Sequence, residues 1–152
     1  MSKPGNLDVL CKLTQQQLGD AAKLLRTHTQ KLQQATQQLQ QLLDYRNDYQ
    51  QRAQQSLNSG VSASNYRNFV HFLDTLDQAI SLQNKAIHQL DEAVAQARHH
   101  WHSKKRRLDA YEALQSRRAQ AAQLLDKQRE QRLSDERALR RSAIPTSFSA
   151  AL

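Results

Sequence analysis

The sequence predicts an all-α chain, a long two-helix antiparallel coiled-coil hairpin with an overhanging C-terminal helix end. Three observations lead there. With three Gly and two Pro in 152 residues, the chain lacks the turn residues of a sheet-rich or loop-rich fold, while Ala, Leu, Gln, Lys and Arg are all good helix formers. Only 38% of it is hydrophobic and 5% aromatic, against 24% charged, so any apolar seam must be narrow. Apolar residues also recur in alternating steps of three and four over most of the length, the spacing of a heptad seam.

Helix one is expected over about residues 5–56. Its seam runs Leu18, Ala21, Leu25, His28, Leu32, Ala35, Leu39, Leu42, Arg46, Tyr49 and Ala53, with Leu18, Leu25, Leu32, Leu39, Arg46 and Ala53 at position a and the others at d. Gln mostly fills outward positions between 30 and 55, and the sustained register favours a helix there over a disordered low-complexity stretch. The polar segment LNSGVSASN, residues 57–65, supplies the turn: Gly60 suits a left-handed stop, and Ser62 or Ser64 suits a new N-cap.

Helix two is expected over about 66–141, within a single coiled coil spanning 1–141. Tyr66, Leu73, Ile80, Ile87, Val94, Trp101 and Leu108 fall every seven residues at a, and Phe69, Leu76, Gln83, Leu90, Ala97, Lys104 and Tyr111 at d. After Tyr111 the seam slips to Leu114, Ala121, Leu124 and Leu125 as weaker anchors. Pro145 ends any helical tendency, leaving 142–152 as a flexible tail. A turn near residue 61 pairs residues whose numbers add to about 122, such as Tyr49 with Leu73, Leu42 with Ile80 and Ala21 with Trp101. Trp101 is expected in the core. At 1.5 Å per residue the helices would span about 75 and 110 Å, a rod with both termini and a basic overhang at one end.

The chemistry of catalysis is missing. The sequence has no P-loop, no nucleotide-binding glycine motif, no CxxC and no HExxH, and two paired helices offer no concave pocket. The expectation is a non-enzyme without a cofactor. In ARHHWHSKKRR, residues 97–107, His99 and His102 share a helix face, but two imidazoles without a carboxylate or thiol make a poor metal site, and solvated surface is the reading taken. Cys11 is alone, cannot form an internal disulfide, and is expected on an apolar helix face. No stretch approaches the ~18 consecutive apolar residues of a membrane span, and MSKPGNLDVL lacks a signal-peptide core. A cytosolic protein is expected.

Charge is unevenly placed within the net +8: seven basic against four acidic residues in 1–57, two against four in 58–97, and thirteen against six in 98–152. Lys104, Lys105, Arg106, Arg107, Arg117 and Arg118, continuing to Arg141, would suit a nucleic-acid backbone. Asp109, Glu112, Asp126, Glu130, Asp135 and Glu136 interrupt that run, and no aromatic platform accompanies it. An acidic protein groove is therefore preferred, with a basic nucleic-acid-binding coiled coil as an alternative.

The g positions of an antiparallel pair share one edge, which charges normally occupy. Here that edge carries Gln38, Tyr45, Phe72 and Ala79, beside the seam residues Leu42, Tyr49 and Leu76. These side chains suit a widened thin core, a contact patch for another protein, or self-association of a structural coiled coil.

LLDYRNDYQ at 42–50, YRNFVHFLDTLDQAI at 66–80 and WHSKKRRLDAYEALQSRR at 101–118, in this order and spacing, resemble the flagellar export protein FliJ family of the flagellar type III secretion apparatus. The likeness covers about residues 5–140. It implies a soluble cytoplasmic coiled coil similar in shape to the central stalk of rotary ATP synthases. Such a protein would couple the FliI-type export ATPase ring to the export gate and assist flagellum assembly and motility. By this resemblance the end bearing both termini, with Lys104, Lys105, Arg107, Arg117 and Arg118, enters the ATPase ring. The gate protein FlhA, through its cytoplasmic domain, would meet Gln38, Leu42, Tyr45, Tyr49, Phe72, Leu76 and Ala79, with Gln83 one turn further. Export chaperones are further implied partners, and the implied location is the cytoplasmic face of the inner membrane at the flagellar base, without membrane insertion.

Overall fold

The computed structural model describes residues 5–143. Within them the chain is an all-α helical hairpin of two helices, α1 (Asn6–Asn58) and α2 (Ala63–Ser142). The tail expected from residue 142 onward has Ser142 in α2 and Ala143 in a turn, and its remainder, with Pro145, lies outside the described residues.

Local chemistry sets the helix ends. At the start of α1 the Gly5 carbonyl accepts from the Asp8 and Val9 amides at 3.0 and 3.2 Å, and Asp8 places a carboxylate in the first turn, where the helix dipole favours it. α1 stops at a tight turn in which the Gly60 amide donates to the Leu57 carbonyl at 3.3 Å. Gly60 adopts φ 85°, a left-handed conformation that side chains resist. Of the two serines suited to cap α2, Ser62 does so, its Oγ accepting from the Asn65 amide at 3.3 Å. α2 therefore starts at Ala63, earlier than the expected residue 66.

Packing divides the described chain into two compact units, one of the residues up to Leu13 with those from Arg107 onward, the other of Thr14–Arg106. In the larger unit the buried residues are Thr14, Ala21, Ala35, Leu76, Val94 and Ala97. Most are small, because a seam with only two walls covers a methyl group fully but a large side chain on one side alone. Trp101, expected in the core, is accordingly only half-buried, its indole meeting His102 edge-on at 5.0 Å.

Cross-helix contacts in this unit join residues whose numbers add to between 117 and 123, such as Tyr45 with Phe72, Gln83 with Ala35, Lys104 with Gln17, and Arg46 with Asp77. That is the antiparallel register the heptads predict. In the smaller unit Leu7, Cys11 and Leu108 are buried, and Gln115 donates to Asp8 at 2.7 Å. Every side chain from Ser116 to Ala143 is exposed, including the weaker anchors Leu124 and Leu125, and Leu114 is exposed too. The overhang thus carries no seam of its own.

Candidate protein-binding surfaces

The aromatic edge of the larger unit is built around Tyr49. Its ring stacks on Phe69 at 5.3 Å and tilts against Phe72 at 4.5 Å, so it meets both of these aromatics rather than Leu73 alone. Tyr45, one helical turn earlier, touches Phe72 edge-on at 6.1 Å and stays 52% exposed. The two tyrosines therefore differ in role. Tyr49 is half-buried against two rings, whereas Tyr45 meets only the Phe72 ring and is more exposed.

The other residues of the edge are graded in accessibility. Gln38 is exposed, while Leu42, Phe72 and Ala79 are half-buried. Leu76 is buried, so it lies beneath the patch rather than on its surface. Gln83 donates its amide to the Ala35 carbonyl at 2.9 Å and to Gln38 Oε1 at 3.2 Å, which ties Gln38 down at the margin.

Arg46 occupies a seam position between the tyrosines in sequence. Its guanidinium donates to the Asp77 carboxylate across the helices and to Gln50 Oε1 at 3.2 Å. The hydrogen bond to Asp77, followed by the charge attraction, raises the Arg46 pKa above its ordinary value. Both side chains stay partly exposed, so the pair specifies register more than it stabilises.

Toward the turn lies an open groove of about 640 Å³, lined by Tyr45, Tyr49, Leu57, Tyr66 and Phe69 among others. Tyr66, a seam residue by spacing, is exposed rather than buried. Sequence reasoning passed over this groove, although the signal is there: the register sets Ser56, not an apolar residue, opposite Tyr66.

The sequence model of the family described as "Flagellar FliJ protein" matches residues 2–145. The chain belongs to that family. It is 34% identical over 140 residues to the "Flagellar FliJ protein" of Escherichia coli (strain K12), covering 92% of this chain and 95% of the relative. The "Flagellar FliJ protein" of Salmonella typhi is likewise 34% identical over 140 residues, with the same coverage.

In this member of the flagellar FliJ family the basic residues divide between the units. In the larger one Lys104 and Lys105 are half-buried, and Lys104 Nζ donates to Gln17 Oε1 at 3.1 Å. In the smaller one Arg107, Arg117 and Arg118 are exposed. His99, His100 and His102 are exposed as well, and among the described residues no three His, Cys, Asp or Glu side chains gather as a metal-holding group. No helix of the described residues is long and apolar enough to cross a membrane. Buried Cys11 has its thiol pKa raised, first by burial and then by the nearby charges of Glu112 and Asp8.

Proposed function

We propose that the chain is a non-enzymatic component of the flagellar type III export apparatus that couples the export ATPase ring to the export gate. Family membership supports the flagellar setting, and the resemblance supplies the two partners. In this reading Lys104, Lys105, Arg107, Arg117 and Arg118 meet the ATPase, and the edge around Tyr45 docks on the cytoplasmic domain of the FlhA-type gate. Export chaperones are further partners, and the protein works at the cytoplasmic face of the inner membrane without inserting into it.

The observation that carries the reading is the Tyr45–Phe72 pair: a 52% exposed aromatic ring set edge-on against a second ring from the other helix. Exposed aromatics with little freedom to lose are favoured anchors for protein contacts. The test is a pull-down with the purified gate domain and the ATPase. Tyr45→Ala with Phe72→Ala is expected to weaken gate binding while helicity and ATPase binding are retained. Unchanged gate binding by the folded double variant sinks the assignment of the edge.

A further inference from the structure

The two helices leave their seam unfilled at its last layer before the turn. Tyr66 sits at heptad position a and, by periodicity, belongs inside the seam. The residue the register sets across from it is Ser56, and both line the groove of about 640 Å³ at the turn. A serine fills too little of the layer to cover a phenol ring, so Tyr66 is 48% exposed and Leu57 at the same groove is 42% exposed. The groove is continuous with the aromatic edge, because Tyr45 and Tyr49 line it too.

We propose that this open layer receives an apolar side chain, such as leucine, methionine or phenylalanine, from the same partner surface that meets Tyr45. The docking surface then runs from Tyr45 over Tyr49 and Phe69 to Tyr66 and Leu57, and Ser56 is the residue that keeps it open. This inference rests on the reading of the Tyr45 edge as the export-gate contact. The occupant is that partner because the groove shares two of its walls with the proposed contact. A partner covering Tyr45 and Tyr49 therefore already touches two residues that line the groove. The serines and Asn65 make part of the lining polar, and the one charged residue there, Arg52, is paired with Asp48 at 3.0 Å. The rings of Tyr45, Tyr49, Tyr66 and Phe69 with Leu57 form the wall that suits an apolar side chain.

The experiment measures affinity of the full chain for the purified cytoplasmic gate domain by titration calorimetry, with circular dichroism as the check on folding. Tyr66→Ala is expected to weaken binding about tenfold, the loss typical of an interface anchor. Ser56→Leu is the sharper variant. It fills the layer from within, so it raises the melting temperature of the free chain and at the same time weakens gate binding. A merely structural role for the layer predicts that the better-filled hairpin binds as well or better, and that result overturns the proposal. Leu82→Ala, at an exposed leucine that lines no part of the groove, is expected to bind as the parent does. If Tyr45→Ala with Phe72→Ala weakens binding but neither groove variant does, the groove proposal falls and the coupling reading stands. If none of them weakens it, both fall. If sedimentation shows a dimer of the chain that Ser56→Leu abolishes, the groove seats a second copy instead and the proposal is overturned.

Discussion

Tyr49→Ala and Tyr45→Ala remove chemically identical side chains four residues apart, and the structure expects very different consequences for stability. Tyr49 makes two ring contacts, at 5.3 and 4.5 Å, and is half-buried. At about 1 kcal/mol for each aromatic contact and roughly 1 kcal/mol for the covered part of the ring, its truncation costs about 3 kcal/mol. Tyr45 makes one edge contact at 6.1 Å and is 52% exposed. The same reasoning gives about 1 kcal/mol for the contact and roughly half that for the smaller covered part of the ring, about 1.5 kcal/mol for its removal. For a chain of this length each kcal/mol moves the melting temperature by roughly 2–4 °C. Thermal melts followed by far-UV circular dichroism should therefore show a depression for Tyr49→Ala about twice that for Tyr45→Ala. Gate affinity, measured below both transitions, should rank the two in the opposite order. Equal depressions, or a larger one for Tyr45→Ala, would refute the division of the pair into a structural residue and a contact residue.

Three further outcomes follow from the structure. Gly19 lies in the interior of α1 with no heavy atom within 4 Å of an added Cβ, so Gly19→Ala should stabilise the chain by about 1 kcal/mol. Gly60 is equally uncrowded but sits at φ 85°, so Gly60→Ala should cost roughly 1–2 kcal/mol through the backbone alone. Chemical denaturation of both variants checks the opposite signs. Cys11 should resist a thiol reagent at mildly alkaline pH, because burial and neighbouring negative charge keep the thiol protonated. It should react promptly once the chain is unfolded. Rapid labelling of the folded chain would contradict the placement of Cys11 in the packed seam.

Most of the hairpin was legible because a heptad is a geometric statement. Alternating steps of three and four commit residues to one helix face, and a short turn then fixes which of them meet. Ala21, Ala35, Val94, Ala97 and Leu108 are buried where that rule puts them. The rule does not say how completely a two-sided seam covers a large side chain, and this is why Trp101 and Tyr66 were placed too deep. It is also silent where a seam position is polar: Thr14 is buried although its residue type gives no apolar signal. The aromatic edge was legible by position, but Tyr49's stacking on Phe69 was not, since ring contacts reach past the directly opposed residue. The groove needed the side chains in place, because it depends on the size of Ser56 as much as on the exposure of Tyr66.

The bond between Arg46 and Asp77 bears on how this molecule can carry information. Some paired helices work as a telegraph by ratcheting past one another, exchanging one register for the next when a partner binds. Here a slide of one heptad would take Arg46 away from Asp77 and set it against Val70 or Asn84, neither of which can answer its charge. That stroke loses the pair and gains no ion pair in return at the level of the tyrosines. A partner that slid the helices would have to break this pair, so its survival in a complex would report an unchanged register.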